Sequence, residues 1–252
     1  MSAKIYQERA LKILNQIVEK ENENIRKASE IMAESIASGH LVHLFGSGHS
    51  AIPALDIFPR YGSYVGLHPL IDPRLIWFNV IGPGGARELL WIERQEGYIK
   101  NFLQSFNFHK EDSMVVYSHG GLNAAPVEAA LYAKDKGMKV IAVTSMDNYK
   151  HAKPTHSSGK SLADIADVVI DNCAPLEDAL VEIEGQKAKI GASSTLSVIF
   201  ISMSLLCETA KLLREKGIEL PTFVSPNVAS LPKDNNDMVY AKYTEYVKNL
   251  KV

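Results

Sequence analysis

The chain has 252 residues, 46% hydrophobic and 22% charged, which is enough apolar surface to bury a sizeable core without disulfides or a structural metal. A formal net charge of -2 supplies no basic field to draw in nucleic acid or an anionic membrane, so direct binding to either is not expected. Any anion must then be held by local contacts.

Between Tyr6 and Ile36, the residues Leu11, Leu14, Val18, Ile25, Met32 and Ile36 recur at steps of threes and fours with charges between them, which predicts amphipathic helix. The stretch Glu21-Asn22-Glu23-Asn24 is the weak point, because Asn favours competing local hydrogen bonds, so a bend or helical hairpin is expected there. Gly39 stops the helix. The apolar run Leu41 to Phe45 then predicts a strand that enters Gly46-Ser47-Gly48-His49-Ser50 and a following helix.

A second strand is expected over Ser63 to Leu67, and a long helix over Arg87 to Phe106 after the breaker Gly82-Pro83-Gly84-Gly85. Met114 to Ser118 reads as a strand entering His119-Gly120-Gly121, followed by a helix from Pro126 to Lys136 closed by Gly137. Lys139 to Thr144 and Val168 to Ile170 are further strands, and a last long helix runs from about Thr195 to Lys216. Strands alternating with helices imply βαβ units, and hence a parallel sheet covered on both faces. The tail from Lys233 to Asp237 reads as solvated, with Tyr240, Tyr243, Tyr246 and Leu250 able to dock one more helix.

No export signal is expected from Met1 to Glu8, where Lys4, Gln7 and Glu8 replace the apolar stretch it would need. The segment Leu196 to Leu206, interrupted by Ser197, Ser202 and Ser204, reads as a core helix too short to span a bilayer. Cys173 and Cys207 lack metal or redox spacing and suit reduced thiols in the cytoplasm.

In a parallel sheet, ligands collect at the carboxyl ends of strands, and two such ends here carry Gly, Ser, His and Asn. In Gly46 to Ser50, glycine allows backbone close to an anion while hydroxyls and helix-start amides donate to it. Ser118-His119-Gly120-Gly121-Leu122-Asn123 repeats that context, so the two loops are expected to face one crevice. Neither loop is a dinucleotide fingerprint or a P-loop.

The combination of G-S-G-H-S, S-H-G-G-L-N and S-S-T-L opening a late helix resembles the sugar isomerase (SIS) domain family, and H-S-S-G-K-S-L adds to the similarity. The resemblance implies a three-layer αβα sandwich around a five-stranded parallel sheet, flavodoxin-like in order, with the domain at 39–227 between N-terminal helices at 1–38 and a C-terminal extension at 228–252. It implies a sugar phosphate held by Gly46, Ser47, Gly48 and Ser50, by Ser118, His119, Gly120, Gly121 and Asn123, and by Ser193, Ser194 and Thr195. The family's second loop commonly carries a serine where this chain has Gly120 and a threonine where it has Asn123.

Aldose-ketose isomerisation through an enediol needs a carboxylate base and a ring-opening acid. Glu88, Glu93 and Glu96 are the candidates on the long helix, with Glu96 preferred because family isomerases place a glutamate on a comparable helix. His156 is the candidate acid, and His49 or His119 would polarise the substrate. No cofactor or metal is expected, and His68, Asp72, His119 and His156 are the positions to test for zinc. The alternative is a non-catalytic phosphosugar sensor or regulatory adaptor. The apolar stripe of the opening helices predicts a homodimer or homotetramer.

Overall fold

The computed structural model describes residues 1–228 and 230–248; Leu250, one of the docking residues expected in the tail, lies outside them. Five parallel strands, β1 (Val42–Gly46), β2 (Leu67–Leu70), β3 (Ser113–Tyr117), β4 (Lys139–Thr144) and β5 (Val168–Asp171), form one sheet in the order β2-β1-β3-β4-β5. The chain reverses its direction of travel across the sheet between β1 and β3, and the crevice beyond their carboxyl ends is where such sheets place ligands.

Strand side chains alternate between two cores. Val42, Leu44, Val115, Tyr117, Ile141 and Val143 face a layer built by α1 (Ser2–Lys20), α2 (Asn22–Ala37), α3 (Ile52–Ile57) and α9 (Ser194–Glu215). Phe45, Met114, Val116, Val140 and Ala142 face α4 (Ala86–Ile92), α5 (Tyr98–Leu103), α6 (Ala124–Asp135) and α8 (Leu162–Ile165). Burial on both faces explains why these strands read as unbroken apolar runs. The short α7 (Met146–His151) follows β4.

The break between the opening helices falls at Glu21, inside the Asn-rich stretch. Two expectations are corrected. Ser63 to Gly66 is not a strand of the main sheet: it runs against the C-terminal arm, Phe223 N donating to Ser63 O (2.8 Å) and Val65 N to Pro221 O (3.1 Å), and the strand starts at Leu67. The helix over 87–106 is two helices: α4 ends at Ile92 with Glu93 as its cap, residues 93–96 turn, and α5 starts afresh after Gly97, which holds a left-handed φ of +85°. An antiparallel pair, β6 (Ala179–Val181) and β7 (Ile190–Ala192), which the sequence reading did not include, stands outside the main sheet and is joined through a turn at Gly185, where Gln186 N donates to Ile183 O (2.9 Å).

At 22 residues, with a mean hydropathy of 1.7 over its most apolar stretch, α9 is by length and composition alone long and apolar enough to cross a membrane, and it is the core helix expected from Leu196 to Leu206. In this fold Val198, Ile201, Leu205 and Leu213 are spent on the core, and Ser197 and Ser202 return their hydroxyls to the backbone oxygens of Ser194 and Val198. The tail is also less free than expected: Asn235 and Asn236 bond to the backbone of Thr222 and Val224 and start α10 (Asn235–Val247), which packs Val239, Tyr243 and Tyr246 on the core.

Candidate functional site

β1 ends at Gly46, where a β-carbon would lie 2.0 Å from the Ser50 carbonyl oxygen, so only glycine lets the chain turn this tightly. Ser47 is extended, and Gly48–Ala51 coil into a 3-10 turn feeding α3, Ser50 N donating to Ser47 O at 3.0 Å. Gly46 pairs with Tyr117, so the second loop leaves β3 directly beside the first.

In that second loop, Gly121 N donates to Ser118 Oγ (3.0 Å), and Gly121 takes a φ of +65° with Thr144 Oγ1 only 2.7 Å from where a β-carbon would stand. Gly120 is different: nothing lies within 4 Å of its would-be β-carbon, so the serine common in similar loops has room here. His119 is tethered at both ring nitrogens, 3.1 Å from Asn148 Nδ2 and 3.4 Å from Asn172 Nδ2.

The two loops meet on Glu93. Ser47 Oγ donates to its Oε2 (2.9 Å) and Asn123 Nδ2 to its Oε1 (2.8 Å), while the carbonyl freed at the end of α4 accepts the N–H of Ala125 in the first turn of α6 (2.9 Å). Glu93 is only 8% exposed, and burial pushes its carboxyl above the ordinary carboxylate range despite the opposing hydrogen bonds from Ser47 and Asn123 and the nearby Arg94 charge. Ala86, Leu89, Leu90 and Glu93, spaced as one helix face, line a cavity of about 440 Å3 with Ser47, Gly48, His49 and Trp77. The His49 and Trp77 rings lie 4.5 Å apart between centroids.

A profile described as "SIS domain" matches residues 5–145, which carry both loops and Glu93. The chain belongs to the SIS-domain family. It is 33% identical over 250 residues to UPF0309 protein TTE0306 of Caldanaerobacter subterraneus, covering 98% of this chain and 99% of that one. It is 34% identical over 238 residues to UPF0309 protein BH3325 of Halalkalibacterium halodurans, covering 94% of each. Its fold is similar to a phosphoheptose isomerase from Francisella tularensis (TM-score 0.52, 18% identity, 82% of this chain and 95% of that one). It is likewise similar to the sugar isomerase domain of an RpiR transcription factor from Sphaerobacter thermophilus (TM-score 0.50, 19% identity, 85% and 92%).

The third element expected to grip phosphate in this SIS domain lies beyond the matched span and is already engaged. Asp178 accepts the N–H groups of Ser193 (2.9 Å) and Ser194 (2.6 Å) and the Ser194 hydroxyl (2.7 Å), so a carboxylate of the chain itself caps α9. Burial pushes the Asp178 carboxyl up, but the Ser194 hydroxyl, the two amides and nearby His119 outweigh it and hold the carboxyl below its usual range. Thr195 follows, half-buried, in the first turn of α9.

Glu96 is absent from the lining of the Glu93 cavity. Its carboxylate accepts the backbone N–H of Ser157 (2.6 Å) and the Ser157 hydroxyl, and these bonds hold it below the usual range. His156 Nε2 is 3.7 Å from Glu96 and 3.8 Å from Glu128, and its Nδ1 accepts from Ser158 N at 3.1 Å. These contacts pin the 152–161 loop to the elbow between α4 and α5, and Thr155 Oγ1 ties the same loop to Leu122 O (2.8 Å). Glu88 accepts the N–H of Gly84 (2.7 Å) and braces the glycine-rich turn.

The four positions marked for zinc sit in separate networks: His68 with His43 (3.0 Å), Asp72 with Arg74 and Tyr98, His119 with its two asparagines, and His156 with the glutamates. Sequence reasoning missed Trp77 and Asp178, neither of which sits in a motif. It also ranked Glu93 below Glu96, although Ala86, Leu89, Leu90 and Glu93 at positions i, i+3, i+4 and i+7 spell an apolar stripe ending in a carboxylate.

Proposed function

We propose that this SIS domain binds a phosphorylated sugar in the crevice between the ends of β1 and β3 and isomerises it by proton transfer, with Glu93 as the base in place of Glu96. The observation that carries the reading is the buried Glu93 carboxylate, held jointly by Ser47 and Asn123 from the two loops and poised toward a higher pKa. Ser47 Oγ and Gly121 N are taken up by Glu93 and Ser118 Oγ, so a phosphate would draw on the remaining hydroxyls and backbone N–H groups of the two loops, Gly48 and Ser50 in the first and Gly120 in the second.

In the reaction, the Glu93 carboxylate takes a proton from the carbon next to the substrate carbonyl, leaving an enediol, and returns it to the neighbouring carbon. The substrate is neither oxidised nor reduced overall. His49, which lines the same cavity, serves the oxygen end: it donates a proton to the carbonyl oxygen as that becomes a hydroxyl and takes one back from the neighbouring hydroxyl as that becomes the new carbonyl. The phosphoheptose isomerase with a similar fold supports this class of reaction. Assaying the purified protein against a panel of aldose and ketose phosphates tests it: turnover that disappears in Glu93→Gln supports the reading, and no turnover of any member rejects catalysis.

One observation favours a binding-only reading. Ser193 and Ser194 are saturated by Asp178, which leaves fewer donors for a phosphate than the sequence promised, and a sugar isomerase domain within a transcription factor shares this fold. Thermal stabilisation by sugar phosphates without turnover would select it. Assembly into a homodimer or homotetramer is proposed as well, because Ile5, Leu11 and Val18 of α1 present apolar side chains to solvent. A reducing, cytoplasmic setting suits the unpaired Cys173 and Cys207.

A further inference from the structure

The cavity beside Glu93 has a mixed lining. Ser47, His49 and Glu93 bring the polar groups, while Trp77, Ala86, Leu89 and Leu90 bring carbon. The apolar residues crowd directly over the first loop: a β-carbon at Gly48 would touch Leu89 at 3.6 Å and Trp77 at 3.8 Å. An unsubstituted hexose phosphate carries a hydroxyl at nearly every position around its rim, and an aliphatic wall offers those hydroxyls no partner once water is expelled. One aromatic ring could stack on the C–H face of a sugar, but here a tryptophan and three aliphatic side chains line a concave volume instead of presenting a single plane.

We infer that this cavity receives a short N-acyl substituent, and that the ligand class is an N-acetylated amino-sugar phosphate. The inference rests on the phosphosugar reading above. The acyl methyl packs against Trp77, Ala86, Leu89 and Leu90, and the amide carbonyl lies toward His49, whose ring is already packed against Trp77. Ala86 sets the depth of the space, since it is the smallest side chain on the face of α4 that lines it. A methyl in an apolar pocket is worth on the order of tenfold in discrimination, and hydroxyls left unpaired against the same wall widen the gap.

Calorimetry on the full chain with 2-acetamido-2-deoxyglucose 6-phosphate, glucosamine 6-phosphate, glucose 6-phosphate and 2-deoxyglucose 6-phosphate tests this. The acetamido sugar is expected to bind at least about tenfold tighter than the other three. Ala86→Leu, which fills the space, is expected to bring the acetamido sugar down to the affinity of glucose 6-phosphate, and Leu90→Ser, at an exposed position that does not threaten folding, to narrow the gap part-way. Equal or tighter binding of any non-acylated sugar, or equal weakening of all four by Ala86→Leu, overturns the acyl assignment while leaving the phosphosugar reading standing. If none of the four binds, and inorganic phosphate does not either, the phosphosugar reading fails and the acyl assignment falls with it.

Discussion

Two carboxylates sit where this fold was expected to hold phosphate, and they have opposite chemistry. Asp178 accepts two backbone N–H groups and a hydroxyl at the start of a 22-residue helix, which keeps it ionised. Glu93 accepts only one hydroxyl and one side-chain amide while more fully enclosed, and burial wins. The number of donors set against desolvation, and not the residue type, decides which carboxylate caps a helix and which can trade a proton.

The sharpest way to break the comparison is to remove each charge in turn. Glu93→Gln should lower turnover by about 100-fold or more, the usual worth of a general base, with sugar-phosphate affinity changing far less. Glu96→Gln should change turnover by about threefold at most, since Glu96 is bonded to Ser157 and does not line the cavity. Similar losses in both, measured by initial rates, would erase the distinction between the two glutamates.

Asp178→Ala should cost about 1–2 kcal/mol in chemical denaturation, the upper end for a lost cap, because the N–H groups of Ser193 and Ser194 lose their acceptor. Asp178→Gly should cost less than Asp178→Ala, because residue 178 holds a φ of +61° that glycine adopts freely. The reverse order would show that the positive φ costs little and that the freedom glycine adds to the unfolded chain outweighs it.

A pH profile sharpens the difference further. The acidic limb of turnover should lie above the ordinary carboxylate range, since Glu93 must be ionised to act and its pKa is raised. For stability the sign follows from the same shift. The folded Glu93 holds its proton to higher pH than the unfolded one, so stability is full below the unfolded pKa and declines as pH rises through the folded value. Glu93→Gln should therefore gain stability relative to wild type on going from acid to neutral pH. Asp178 works the other way, its contribution lost as pH falls through its depressed value.

A smaller effect, remote from the loops, is a control. His68 is buried against His43, and burial lowers its pKa to about 3. Its folded form refuses a proton that the unfolded chain accepts near 6.5, so stability should fall as pH drops from about 6.5 toward 3, by at most ~1.4 kcal/mol per pH unit for this one group. His68→Gln should flatten that slope in denaturation curves without altering the Glu93 limb.

The architecture was legible because its signals are local. Apolar runs at Leu41 to Phe45 and Lys139 to Thr144, glycines at 46 and 137, and the Asn-rich break near Glu21 each act within a few residues. The helix end at Ile92 gave no such signal: residues 93–96 leave α4 as a turn, so Glu96 does not continue the helix face that leads to Glu93, and Gly97 only starts α5. Trp77 gave no signal, because an aromatic residue after a proline turn is as readily core as cavity wall.

By itself, then, the sequence determined a parallel αβα sandwich and two glycine-serine loops at neighbouring strand ends, since periodicity and backbone freedom are written residue by residue. Which carboxylate is buried and which is saturated was decided by tertiary structure alone. Glu93 depends on Asn123, 30 residues away, and on Ser47, 46 away; Asp178 depends on serines 15 and 16 residues on. Proton affinity follows from solvent exclusion and donors delivered by distant segments, and no local pattern encodes either.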